Sequence, residues 1–223
     1  DVRRYAWMDV EVGIPTSNVT KMKYEYIARW DTLRCVDETI PPPPFSILSF
    51  DIETDSQDPR KMSDPGDMGS CIRIVCMTMV HGPHYEEHSI IYGDDINDLI
   101  MEDTEKGKED IPNLRGHVHI VNTELDLVKK VFQLFMDLDP DIITGHNHLG
   151  FDIPYLVNRY RYLVTYNMTK GDRGTLSLPN ISRLRSYKCT MEKAGYTSST
   201  ASITNFYIDA PGITWVDTLT LVI

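Results

Sequence analysis

Phe45–Thr54 reads FSILSFDIET, with the four prolines 41–44 immediately before it. The run is short, apolar and β-rich, the pattern of one buried strand. Side chains two apart on a strand share a face. Leu48, Phe50 and Ile52 therefore belong to one face, and Ile47, Ser49, Asp51 and Glu53 to the other. Two acids thus project together from the C-terminal end of an otherwise apolar strand. Packing gives no reason for like charges there. A hard divalent cation such as Mg²⁺ takes carboxylate oxygens and would make them favourable. Asp51-x-Glu53 reads as half of a metal site. The tripeptide alone also fits a solvated strand end running into an acidic loop, because Asp55, Asp58, Asp64 and Asp67 follow.

Around this strand the chain is ordinary in composition. Its 223 residues suffice for one large domain or one domain with an appendage, and 41% hydrophobic with 25% charged residues is the balance of a globular protein. No apolar run approaches the roughly 20 residues that cross a bilayer. The start, DVRRYAWMDV, has charges and no apolar segment of the kind a signal peptide carries. It also lacks Met, and a piece of a longer protein or a processed product is expected. Four cysteines (Cys35, Cys71, Cys76 and Cys189) show no zinc-like pairing. Reduced thiols and an intracellular setting are expected, with Cys71 and Cys76 buried in a strand. A net charge of −11 counts against a simple basic nucleic-acid patch. It does not exclude a nuclease whose acids are neutralised by metals. Lys and Arg gather locally between Arg159 and Lys193.

Residues 1–44 suggest small strands (Tyr5–Val12, Tyr24–Arg29) ended by the proline run, the edge of a neighbouring domain plus a stiff connector, or else an extra strand pair on the main sheet. Cys71–Val80, Ser89–Tyr92 and His117–Val121 are strand candidates, and 93–116 is polar, acidic and without a clear pattern. A helix follows. Thr123 and Asp126 resemble a capping box, Leu125, Val128, Val131, Phe132, Phe135 and Leu138 recur at three and four, and Pro140 ends it. Asp141–Gly145 returns as a strand, and Phe151–Leu163 is a second helix with Pro154 in its first turn. The spacing predicts a closing hairpin over 203–221, turning at Asp209-Ala-Pro-Gly212. Mixed strands and helices indicate an α/β or α+β class.

The second informative stretch is Gly145–Leu156, GHNHLGFDIPYL, where a strand hands over to a helix. Asn147 falls in the connecting loop and Asp152 at the helix start, a position that favours an acid for local reasons. His146 and His148 flank Asn147, but no third ligand is spaced to complete a zinc site.

Taken together, FDIET and, about a hundred residues later, HNHLGFDIPYL resemble the first and second exonuclease motifs of family B DNA polymerases. The intervening VNTELDLVKKVFQLFMDLDPDIITG has the helix-then-strand character found between them. The resemblance covers roughly 41–223, with 1–44 as the end of a preceding domain and connector and 45–223 as the exonuclease domain. It implies an α/β, ribonuclease H-like mixed sheet with flanking helices, plus a short β-rich N-terminal appendage and a β-hairpin. By position, it implies catalytic and metal-binding roles for Asp51, Glu53 and Asp152, with two Mg²⁺ or Mn²⁺ ions. It implies DNA contacts for Thr54, Asn147 and Phe151 against a single-stranded 3′ primer end, while Tyr155 is expected to pack within the helix.

The reaction so implied is 3′→5′ hydrolysis of a mispaired terminal nucleotide. Polymerase accessory subunits or a sliding clamp would be partners of the parent protein, in a nucleus or a virus-infected host cell. The family's third motif, a Tyr followed four residues later by Asp, has no match after the predicted hairpin, and Tyr207-Ile-Asp209 has the wrong spacing. A chain of this extent is expected to cleave poorly alone. Asp217 matches a position of structural character and reads as a strand-end acid. Two alternatives stand beside this reading: a stand-alone exonuclease of the same acid-rich superfamily, and a non-catalytic domain of the same fold used for DNA contact or subunit docking.

Overall fold

The strand expected over 45–54 forms as β5 (Ser46–Thr54) in the computed structural model of the chain. The structure describes residues 8–36, 41, 43–56, 58, 60–93, 116–167, 177–197 and 202–221. Alternation along β5 is as predicted: Leu48, Phe50 and Ile52 are buried, while Ser49, Asp51 and Glu53 are exposed. Ahead of it lie β1 (Met8–Asp9), β2 (Val12–Gly13), β3 (Ile27–Ala28) and β4 (Arg34–Cys35), paired antiparallel as β1–β4 and β2–β3. The part of the expected Tyr5–Val12 strand that falls on 1–7 lies outside the described residues. This N-terminal segment docks through its backbone, with Lys21 N donating to Arg183 O and Arg185 N to Val19 O.

The main sheet adds β6 (Ile72–His81), β7 (His84–Tyr92), β8 (His117–Val121), β9 (Ile142–Gly145) and β12 (Thr214–Asp217) to β5. Its strand order is β12-β9-β5-β6-β7-β8. β5, β9 and β12 run parallel, β8 is parallel to β7, and β6 is antiparallel to both its neighbours. Between β8 and β9 the chain crosses under three strands through α1 (Glu124–Leu138). Thr123 caps α1, its Oγ1 accepting from Asp126 N at 3.1 Å, and Asp139 ends it in the left-handed region just before Pro140. The buried stripe of α1 is Leu127, Val128, Val131, Phe132, Leu134 and Phe135, which places Leu125 and Leu138 at its margins.

With α2 (Asp152–Asn167), α1 covers one face of the sheet. Phe50 meets Phe135 edge-on at 5.4 Å, and Ile153, Leu156 and Val157 complete the contact. Burial of each such side chain contributes about 1.5–3 kcal/mol. The opposite face, which carries Asp51 and Glu53, is left open to solvent along β5.

Two expectations are corrected. The hairpin is not 203–221. β11 (Ser202–Asp209) pairs antiparallel with β10 (Thr190–Thr197), and the turn at 209–212 instead leads β12 into the main sheet beside β9. Cys76 is exposed and Cys71 half-buried, because a register irregularity between Glu53 and Thr54 pairs Thr54 with Ile72 and Glu53 with Ile74, leaving Arg73 as an extra residue. Such a bulge turns the following side chains to the other face. No disulfide links the four cysteines among the described residues. Within the basic stretch from Arg159 to Lys193, two arginines are engaged inside the fold. Arg159 is fully buried and Arg183 is bound to Asp139 and Asp141. The patternless stretch 94–115 lies outside the described residues.

Arg159 is the centre of a network that sequence reading did not find. Its Nε and a terminal nitrogen clasp both oxygens of Glu124 at 2.7 and 2.8 Å, and another nitrogen reaches the carbonyls of Pro65 and Asp67. Glu124 Oε1 also accepts from Ile72 N at 2.8 Å, and the buried Tyr155 donates to Ser70 O. The network ties α1, α2, β6 and the loop after β5 together. Its members lie 35 and more residues apart, so no local spacing announces them.

Candidate active site

β9 pairs with only three residues of β5, Ile47–Ser49. Beyond them that edge of β5 has no strand partner, and the chain leaving β9 turns across it. Gly145 permits the turn: a Cβ there would stand 2.7 Å from Phe50 O. The loop then coils on itself, with Gly150 N and Phe151 N both donating to Asn147 O, and Asn147 takes a left-handed backbone at φ 58°. A side chain at Gly150 would run into Asn147 Oδ1.

Asp217, at the end of β12, holds this loop. It accepts from Asn147 N at 2.9 Å, Leu149 N at 3.0 Å and Leu219 N at 2.9 Å. It is thus a buried strand-end acid occupied by backbone donors. His148 is fully buried beside Phe50 and Trp215, whereas His146 is exposed, so the two histidines around Asn147 share no site. The hairpin is tied to the same loop, since Phe206 N donates to Leu149 O at 2.7 Å.

The loop delivers Asp152 as the first residue of α2. Its carboxylate Oδ1 accepts from Ile52 N at 3.0 Å. That N–H lies in the peptide between Asp51 and Glu53, so the third acid reaches the strand tip that carries the other two. Asp152 is 3% exposed. Burial pushes its carboxyl up to about 6, the Ile52 N–H works against that rise, and the adjoining Asp51 carboxyl adds to it. Asp51 and Glu53 project to solvent, and Glu53 has no hydrogen bond or ion pair among the described residues. Among the described residues, no Lys or Arg is paired with any of the three.

Three oxygen-ligand side chains, one buried beside a like charge and none neutralised, fit a hard divalent cation as a donor set. Among the described residues, no group of three His, Cys, Asp or Glu side chains is placed so that it could hold a metal ion as it stands.

The expected DNA-contacting residues stand around the same tip. Thr54 is half-buried and its hydroxyl donates to Ser63 Oγ, which donates to Asp55 O, so it anchors the following loop. Asn147 is exposed on the loop. Phe151 is half-buried, its ring 5.4 Å from that of Tyr155, which is itself buried.

The chain also has recognisable relatives. Residues 1–222 match the family described as the DNA polymerase family B exonuclease domain. The chain is 30% identical over 130 residues to the DNA polymerase catalytic subunit of Alcelaphine herpesvirus 1, a match covering 58% of this chain and 11% of that protein. It is 27% identical over 164 residues to the DNA polymerase delta catalytic subunit of Dictyostelium discoideum, covering 71% and 13%. The fold resembles that of the family B DNA polymerase from Pyrobaculum calidifontis, with a TM-score of 0.50 at 20% identity, over 97% of this chain and 20% of the archaeal one. The chain therefore spans about an eighth of the curated relatives it matches. Its six-stranded mixed sheet with flanking helices is of the ribonuclease H-like kind, and the chain belongs to the family B DNA polymerase exonuclease domains.

Proposed function

We propose that this chain is the 3′→5′ proofreading exonuclease domain of a DNA-directed DNA polymerase. In this reading residues 45–223 form the nuclease domain, and 1–44 are the end of the domain before it. The observation that carries the proposal is the seating of the Asp152 carboxylate on the Ile52 N–H, between Asp51 and Glu53, with no cationic side chain among the described residues to neutralise the group.

Asp51, Glu53 and Asp152 would hold Mg²⁺ or Mn²⁺. Divalent ions held there supply Lewis-acid charge to the phosphodiester and a water made more acidic for attack. The protein's own contributions are positional. The β5 alternation aims two carboxylates outward, and Asp217 fixes the loop from which α2 brings the third. Asn147 and Phe151, on and beside that loop, would meet the 3′ end of a single strand, where stacking on an aromatic ring outweighs reading of base edges. The open face beside β5 admits the strand without a pocket for any one base. The β10–β11 hairpin, rooted on Leu149, stands next to the path of that 3′ end. Polymerase accessory subunits would attach elsewhere on the parent protein.

The test is degradation of a 3′-labelled single strand by the polymerase that carries this domain, in Mg²⁺. Asp51→Ala and Asp152→Asn should each lower the rate at least 100-fold, with DNA synthesis retained. Full exonuclease rates in both variants would refute the assignment.

A further inference from the structure

Five of the seven histidines, His81, His84, His88, His117 and His119, lie on β6, β7 and β8, at the far end of the sheet from β9. β8 is the edge strand and pairs with β7 alone. Val118 and Ile120 on its outer face are 38% and 46% exposed, so little apolar burial on that side holds it in place. On its other face His117 lies directly beside His88 of β7, and His119 beside Ile90. This is the helix-covered face, because His88 pairs with Met77 and Met77 with the buried Phe50. The His88 ring stacks on both neighbours, with centroids 4.9 Å from His117 and 5.5 Å from His119.

We infer that His88 and His119 form a proton-operated latch: neutral, they hold the edge strand β8 on β7, and when both are charged they release it. His88 Nδ1 lies 3.1 Å from His119 Nε2. A hydrogen bond between two imidazole nitrogens needs one N–H and one bare nitrogen. A neutral pair supplies both, and so does a pair carrying one extra proton. When both rings are charged, every ring nitrogen bears a hydrogen. The bond then becomes a repulsive contact between two cations.

The surroundings favour the neutral pair. His88 is buried and His119 half-buried. Burial holds both imidazoles below their ordinary range, and Lys130 of α1 and the neighbouring rings press the same way. At His88, Glu86 of β7 works against that fall. Glu86 Oε1 stands 3.0 Å from His88 Nε2 and 3.2 Å from His117 Nε2, so it can offset a first proton on His88 but not a second on His119. From β6 the residue beside His88 is the uncharged Met77. His81, His84 and Asp137 line a cleft that they share with Glu86.

Opening β8 returns both rings to water and to an ordinary pKa of about 6.5, so acid favours the open form. The strand is fully held above that value and loses its hold as pH falls below it. Between about pH 7.5 and 5.5, one such imidazole can favour opening at most about tenfold, and two at most about 100-fold. Hydrogen exchange of the β8 amides in the tag-free chain, corrected for the intrinsic effect of pH, measures the opening. The expected rise at β8 exceeds about tenfold, with no rise at Leu48 and Phe50 of β5. His119→Gln keeps an N–H for His88 but carries no charge, and should bring the rise to about tenfold or less. In ring-proton NMR of the wild type, His88 and His119 should titrate below the histidines of the urea-unfolded chain. A wild-type rise of about tenfold or less overturns the latch, as does one that His119→Gln leaves intact or that β5 shares. Titration of either ring at or above the unfolded value overturns it too.

Discussion

Glu124 and Asp152 are each the first residue of a helix, each buried, and each accepts a hydrogen bond from a strand N–H, Ile72 in one case and Ile52 in the other. Both gain from the positive end of a helix. Their neighbours differ. Arg159 grips both oxygens of Glu124 and also binds two loop carbonyls, so the charge is neutralised inside the protein. Asp152 has Asp51 beside it and, among the described residues, no cationic side chain. One helix-start acid serves as a rivet. The other is held at a cost to the fold, which is the mark of a group kept for a ligand.

Removing the cation from the satisfied site should have the largest effect. Arg159→Met leaves Glu124 buried and unpaired, and should destabilise the chain by about 3–5 kcal/mol in urea unfolding. Adding Glu124→Gln should recover part of that loss. If Arg159→Met unfolds at the wild-type urea concentration, the contrast between the two acids is lost.

The unsatisfied site should respond in the opposite sense. The Asp152 carboxyl titrates near 6 in the folded state against 3.8 as its ordinary value. Between about pH 4 and 6 the native state therefore holds the proton more tightly than the unfolded one. Stability should fall as pH rises through that window and stay lower above it. About two pH units correspond to roughly 3 kcal/mol. Without divalent ions, Asp152→Asn should thus be more stable than wild type at pH 7 and no more stable at pH 4. Equal stability of the two proteins at both pH values would show that Asp152 carries no such penalty.

A smaller effect sharpens the contrast from the helix side. Thr123→Ala removes the cap of α1, the helix that begins with Glu124, and should cost about 1 kcal/mol with no change in the Asp152-dependent pH response. A change in that response would mean the two helix starts are coupled.

Much of this was legible in the chain before any coordinates. Alternation in FSILSFDIET placed Asp51 and Glu53 on the exposed face of β5, and the strand-to-helix reading of GHNHLGFDIPYL placed Asp152 at the start of α2. Both are local properties, set by period and by helix entry. What escaped was long-range. Ile203–Leu221 contains two strands and a Pro-Gly turn, but β11 pairs back with β10, while β12 finds β9 some 70 residues away. Nothing in a strand's own residues names its partner. The Arg159 network was not legible because its anion, Glu124, comes from another helix. Cys76 looked buried because the extra residue at Arg73 reverses the alternation, and a bulge leaves no sign in composition.

The most direct measurement is the unfolding temperature at pH 7 with and without millimolar Mg²⁺, for wild type and Asp152→Asn. Mg²⁺ prefers oxygen ligands and so reports on the acids. At about ten times its dissociation constant it should stabilise the wild type by about 1.4 kcal/mol, and leave Asp152→Asn unmoved. An equal shift in both proteins, or none in either, would contradict a cation site built on Asp51, Glu53 and Asp152.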